Sequence, residues 1–285
     1  MRLVICAVVV AALPTVAVAA DLDVLRGSEQ IGSPTYTNWS GFYAGGQIGE
    51  DFNGIDFSKV AGPDVATIST LSAGFDGIPL GSFTELSKMN TTKATWGAFI
   101  GYNFQFEDAV IGFEINYSKA TLRASAQDSG SHSYFQQANG TLYDATYNVN
   151  VAAAAAISNY ATVRSRFGWA FQNFLPYAFA GISVAQINAS SSVNVNYCGE
   201  ISPYSCANPP PPSNPPPPAP IGGSWTISHE SNGRIHYGYD FGLGLDYRIV
   251  QNLFLRGEAE YIEFGSPNAT RLSAESIRLG AGIKF

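Results

Sequence analysis

Charged side chains are scarce in this chain: Asp, Glu, Lys and Arg make up 13% of its 285 residues. Long solvent-facing helices draw heavily on Lys and Glu, so such a composition argues against a helical protein. A formal charge of −7 with 15 basic residues excludes nucleic acid as a natural partner. Only three histidines occur, His132, His229 and His236, and none has the i, i+4 spacing of a zinc helix. The glycine-rich stretches at 45–49 and 242–246 open no helix, so they give no phosphate cradle. We therefore assign no catalytic, metal or cofactor site. Long apolar runs are missing too: after the first residues none reaches the roughly 18 positions of a spanning helix.

What is abundant is glycine, at 29 residues, and Phe plus Tyr, at 33, a recipe for many short strands joined by turns. The N-terminus differs. Arg2 precedes an apolar run broken by Pro14, and small residues follow at Ala17, Val18, Ala19 and Ala20, so residues 1–20 read as a secretory signal. Export to an oxidising compartment makes the two later cysteines, Cys198 and Cys206, read as a small disulfide loop in preference to free thiols or a metal pair.

Period-2 alternation marks eight candidate strands, near 40–52, 95–106, 109–120, 160–171, 176–188, 236–249, 253–264 and 277–285. The sixth is the clearest. Tyr237, Tyr239, Phe241, Leu243, Leu245 and Tyr247 share one parity, and Gly238, Asp240, Gly242, Gly244, Asp246 and Arg248 the other. The fifth, "PYAFAGISVAQIN", shows no clear alternation. Connections alternate between about 2–5 residues and about 40, whereas compact soluble domains seldom carry loops beyond about 15. Short turns at one end and long excursions at the other, with an even number of antiparallel strands, fit an all-β, eight-stranded transmembrane barrel of the outer membrane.

Alternation alone does not say whether the apolar face is a core or a coat; a soluble lipocalin-like barrel has the same period with the greasy side inward. The polar parity helps to choose. It carries acids at Glu114, Asp240, Asp246, Glu258 and Glu260, bases at Arg164, Arg166, Arg248, Arg256, Arg278 and Lys284, and many glycines. Near-balanced charge among glycines suits a narrow lumen in which carboxylates pair with planar guanidinium forks. Tyr102, Tyr117, Tyr237, Tyr247 and Tyr261 lie toward strand ends, where a bilayer favours them.

The stretches "NWSGFYAGGQIG" (38–49), "VRSRFGWAFQNFLPYAFAGISVA" (163–185), "GYDFGLGLDYRIVQNLFLRGEAEYIEFG" (238–265) and "RLGAGIKF" (278–285) resemble the RopB-type small outer-membrane β-barrels of alphaproteobacteria, often labelled porin family proteins. The resemblance implies an OmpA/OmpX-like barrel across 38–285, outer-membrane lipid as its surroundings, and a last strand whose terminal Phe285 is read by the barrel-assembly machinery. Residues 21–37 then form a periplasmic lead-in. The segment 190–235, with both cysteines and the proline run at 208–220, departs from the family pattern and reads as an external loop, a spacer or a ligand for an unknown partner. Two functions compete: an envelope protein with its lumen filled by paired charges, and a narrow diffusion channel for small solutes. Adhesion through the external parts is a third.

Overall fold

The computed structural model describes residues 37–138, 140–213, 218–265 and 269–285. The expected signal at 1–20 and, apart from Thr37, the lead-in at 21–37 lie outside the described residues. Eight antiparallel strands close into one barrel in sequence order: β1 (Gly41–Asp56), β2 (Lys88–Phe106), β3 (Ala109–Ala138), β4 (Thr141–Trp169), β5 (Phe174–Glu200), β6 (Ile221–Val250), β7 (Leu253–Phe264) and β8 (Arg271–Lys284). The seam is a full ladder from Tyr43 opposite Lys284 to Asp56 opposite Arg271, extended where Phe285 N donates to Phe42 O at 2.8 Å.

At one end the turns are short. Glu107-Asp108 joins β2 to β3 and Gln251-Asn252 joins β6 to β7, while residues 170–173 join β4 to β5. Glu107 at φ 54° and Gln172 at φ 50° take the left-handed conformation that tight reversals of twisted strands demand.

The sidedness is settled by burial. Phe113, Leu243 and Leu279 are 57%, 55% and 65% exposed on the outer face, whereas Arg256 and Glu258 are 3% and 4% exposed inside. Outward aromatics and aliphatics from Phe42, Phe104 and Trp169 at the short-turn end up to Ile48, Trp96, Ile182 and Tyr237 form a continuous apolar belt. A barrel in lipid needs such a belt, since the bilayer core offers no water to polar groups. Above the belt the outer face turns charged, with Glu50, Lys119, Arg123, Arg271 and Glu275 exposed.

The eight strands stand where alternation placed them, but the long connections need a correction. Residues 121–159 and 189–235, expected as loops, are mostly strand: β3 to β6 run on for 27 to 30 residues each and form a curved four-stranded sheet beyond the barrel. The 190–235 loop accordingly shrinks to 201–220, tied to the end of β5 by the Cys198–Cys206 disulfide with 6.1 Å between Cα atoms. In these arms the polarity is inverted, with the apolar face inward and the polar face outward. In the belt β4 buries Arg164 and Thr162 and exposes Val163; beyond a register shift between Tyr160 and Ile157 it buries Val149, Val151, Ala153 and Ala155 and exposes Ala152 and Asn150. A bulge moves every later side chain to the other face, and here it changes an apolar coat into an apolar core. β6 shifts likewise between Arg234 and Ser231, around Gly233 at φ 64°.

The β1–β2 connection fills the concave side of this sheet. It holds helix α1 (Ala61–Ser69) and two short 3-10 turns, and inserts Phe57, Val65, Ile68, Phe75 and Leu80 against Tyr147, Val149, Val193 and Val195. Burying these large apolar side chains gives about 1.5–3 kcal/mol each by area. His229 Nε2 meets Asp64 Oδ1 of α1 at 2.9 Å and ties the helix to β6.

Candidate functional site

The site is the bore of the barrel, built by strand parity: each inward position is two residues from the next, so a charge every second residue lands in the lumen. Glu114 on β3 is its centre. It stands directly opposite Arg164 in the β3–β4 register, and Arg164 Nε donates to its Oε1 at 3.0 Å. Glu114 Oε2 accepts from Arg256 Nη1 at 2.7 Å, from Arg166 Nη1 at 3.2 Å and from the Tyr43 hydroxyl at 2.7 Å. One carboxylate is thus shared by three guanidiniums and a phenol.

Toward the short-turn end, Asp246 accepts from Arg256 Nε at 2.8 Å and from Arg166 Nη2 at 2.7 Å. Toward the other end, Arg164 reaches across the bore to β7, with Nη2 2.7 Å from both Glu258 oxygens and Nη1 3.3 Å from Glu260 Oε1. Arg278 on β8 pairs with Glu260 Oε2 and with the Tyr160 hydroxyl. Glu114, Arg164, Arg166, Asp246, Arg256, Glu258, Glu260 and Arg278 therefore form one connected cluster, each at most 4% exposed.

Two expected members do not join the cluster. Arg248 lies two residues below Asp246, at the rim, where its guanidinium sits 5.1 Å from the centre of the Trp39 ring and donates to Asn38 O. Lys284 meets the same carbonyl at 2.7 Å. The segment before β1 draws both cations to the mouth, out of the bore. Asp240 is inside and buried, but it forms no salt bridge among the described residues, and its carboxyl lies against that of Glu260.

Sequence reasoning missed the aromatic plates. The Arg166 guanidinium carbon lies 3.7 Å from the centre of the Tyr177 ring, Arg164 lies 4.0 Å from that of Phe179, and Arg256 lies 4.0 Å from that of Phe99. A guanidinium stacked on a ring in a water-poor site gains about 2 kcal/mol. Tyr177 also donates to Glu258 Oε1 at 2.5 Å. This explains the blurred fifth strand: its inward face carries Leu175, Tyr177 and Phe179, so both faces are apolar and the period vanishes. Asp51 was missed as well, although it shares the parity of Tyr43 and Gln47. It accepts from Ser276 Oγ at 2.7 Å and from the Tyr160 hydroxyl at 3.2 Å.

Glycine makes the room. A Cβ on Gly244 would stand 2.2 Å from the Tyr177 ring, and one on Gly242 2.3 Å from Ala259 O and 2.4 Å from Phe179. Among the described residues no three of His, Cys, Asp and Glu are placed to hold a metal ion.

A closed antiparallel ring with a lipid-facing apolar belt and a bore of paired charges defines a transmembrane β-barrel of the outer membrane. The chain belongs to the outer membrane protein beta-barrel domain family, whose model matches residues 6–285. It is 23% identical over 228 residues to the 25 kDa outer-membrane immunogenic protein of Brucella ovis, covering 78% of this chain and 82% of that protein. The Brucella abortus protein of the same description is 22% identical over 236 residues, covering 78% and 83%. Among solved structures it is similar to Neisserial surface protein A, with a TM-score of 0.35, 12% identity and coverage of 86% and 98%. The attachment invasion locus protein of Yersinia pestis gives 0.29, 11%, 86% and 99%.

Proposed function

We propose that this outer-membrane barrel is a closed envelope protein: its lumen is plugged by ion pairs, and its work is to anchor and display the extended sheet outside the cell. The observation that carries the reading is Arg164, which joins carboxylates of β3 and β7 across the bore while wholly buried. An eight-stranded bore is just wide enough to be filled by side chains, and water-filled channels come with about 16 strands. Lipid contacts the belt, and the barrel-assembly machinery recognises the closing strand through Phe285. The relatives' description as immunogenic outer-membrane proteins is in keeping with a displayed part. No enzymatic role enters this reading. An external partner would meet the tip beyond Cys198, and deleting 198–220 would lower binding to that partner.

Planar-bilayer recording of the refolded protein tests the plug. The expected record is flat or shows only rare small events; large, steady single-channel steps would establish the diffusion-channel reading in its place. Glu258→Gln should then lower barrel stability without creating a selective current, whereas a changed ion selectivity would mark a conducting pore.

A further inference from the structure

The cluster does not balance. Among the described residues the bore buries six carboxylates, of Asp51, Glu114, Asp240, Asp246, Glu258 and Glu260, against four guanidiniums, of Arg164, Arg166, Arg256 and Arg278. Removal of Arg248 and Lys284 to the mouth leaves this excess of negative charge, and a buried charge without a counter-charge is strongly unfavourable.

The excess has an address. Asp240 forms no salt bridge, its carboxyl lying against that of Glu260, and at the adjoining inward level of β4 and β5 Thr162 Oγ1 and Ser183 Oγ, 1% and 0% exposed, have no hydrogen-bond partner among the described residues. These three come from adjacent strands. Thr162 stands directly opposite Ser183 in the β4–β5 register, and Asp240 stands opposite Gly181, two residues before Ser183 on β5. Gly181 lets the carboxylate lie over β5: a Cβ there would be 2.6 Å from Asp240 Oδ1. The nearby cations are engaged elsewhere, Arg164 with Glu114, Glu258 and Glu260, and Arg278 with Glu260. By contrast Asp51, the other acid at this level, is bonded to Ser276, Thr95 and Tyr160.

We infer that the bore between β4, β5 and β6 binds one alkali-metal cation, Na⁺ or K⁺, through the Asp240 carboxylate and the Thr162 and Ser183 hydroxyls. The donor set is all oxygen, which suits a hard cation, and contains a single carboxylate without a salt bridge, too little charge for the multi-carboxylate cages of Ca²⁺. Such an ion offsets the local excess and satisfies otherwise stranded acceptors. It also pins three strands together at a level where the Arg–Glu cluster joins β3, β4, β7 and β8.

The test uses the full chain refolded in detergent micelles at constant ionic strength with NaCl, KCl or N-methylglucamine chloride. The readout is the midpoint temperature for loss of the unboiled, fast-migrating form. Binding to the folded state alone must raise the midpoint in a saturable way with Na⁺ or K⁺ relative to N-methylglucamine. In Asp240→Asn the three salts must give one midpoint. Thr162→Val, which keeps the carboxylate, must raise the half-effect concentration by about tenfold, the loss of one oxygen ligand. The inference is overturned if the wild-type midpoint ignores the cation, or if Asp240→Asn keeps the dependence. Should Asp240→Asn not fold, an unchanged half-effect concentration in Thr162→Val and Ser183→Ala overturns it. The inference assumes an enclosed bore, and bilayer recording checks that assumption separately: a conducting protein removes the plug, while a silent one without cation dependence removes only the ion site.

Discussion

Glu114 and Arg164 face each other across the β3–β4 ladder, and the arginine continues past its neighbour to Glu258 and Glu260 on the far wall. A cross-strand pair on one side of the barrel thereby becomes a strut across it. Glu114 in turn serves Arg166 and Arg256.

Glu114→Gln leaves three buried guanidiniums short of a partner and should lower the barrel's unfolding free energy by about 3–5 kcal/mol. Urea titration of the refolded protein, followed by tryptophan fluorescence, measures this. A loss below 1 kcal/mol would show that the cluster carries no strut.

Arg164→Lys keeps the charge but gives up the planar fork and the stack on Phe179. The expected loss is about 2 kcal/mol or more, from the stacking alone. Phe179→Leu should cost part of the same stability in the wild-type background and almost none in the lysine variant, where the stack is already gone. A double-mutant cycle reads the coupling directly.

Gly244→Ala places a methyl inside the Tyr177 ring contact. Overpacking of this kind costs about 1–3 kcal/mol. Tyr177→Phe lacks the bond to Glu258 but leaves the same ring in place, so it should not rescue Gly244→Ala, whereas Tyr177→Ala should relieve the clash. Thermal midpoints of the three single and two double variants distinguish a steric from a polar cause.

Ile68→Ala removes part of the loop core that α1 forms with the extended sheet, at about 2–5 kcal/mol. That loss should be local: limited proteolysis should cut within 57–87 while the barrel still migrates as a folded species. Loss of the folded band in step with cleavage would mean that barrel and sheet form one cooperative unit.

Asp56 closes the end of β1 outside the lipid belt. Its carboxylate is held down to about 2, first by its hydrogen bond with Ser58, with Lys88 Nζ 3.1 Å away. A folded-state value below the ordinary carboxylate range means that the contribution is complete above about pH 4 and fades as pH falls toward 2. Protection of the β1–β2 connection, followed by hydrogen exchange, should weaken over that window in the wild type. In Asp56→Asn the same segment should be equally weak at every pH.

Sequence by itself determined the barrel. Alternation in "HYGYDFGLGLDYRI" and "IRLGAGIKF" assigns a lipid side and a lumen side, because a strand's period of two is a local property of the backbone. The even strand number and the one-sided short turns follow from the same reading. Tertiary structure decided the rest. The outer arms of β3 to β6 turn their apolar face inward, on β4 and β6 through register shifts such as that between Tyr160 and Ile157, and a single inserted residue leaves no compositional trace. Which charges meet also stayed hidden: Arg164 and Glu260 are 96 positions apart and on strands that are not neighbours, so their contact depends on strand tilt and bore width. Parity put Arg248 and Lys284 among the lumen charges, and only depth along the barrel axis took them to the rim. That displacement turns a nearly balanced list of charges into a buried excess of carboxylate, since parity fixes a side chain's direction and says nothing of its distance from the mouth.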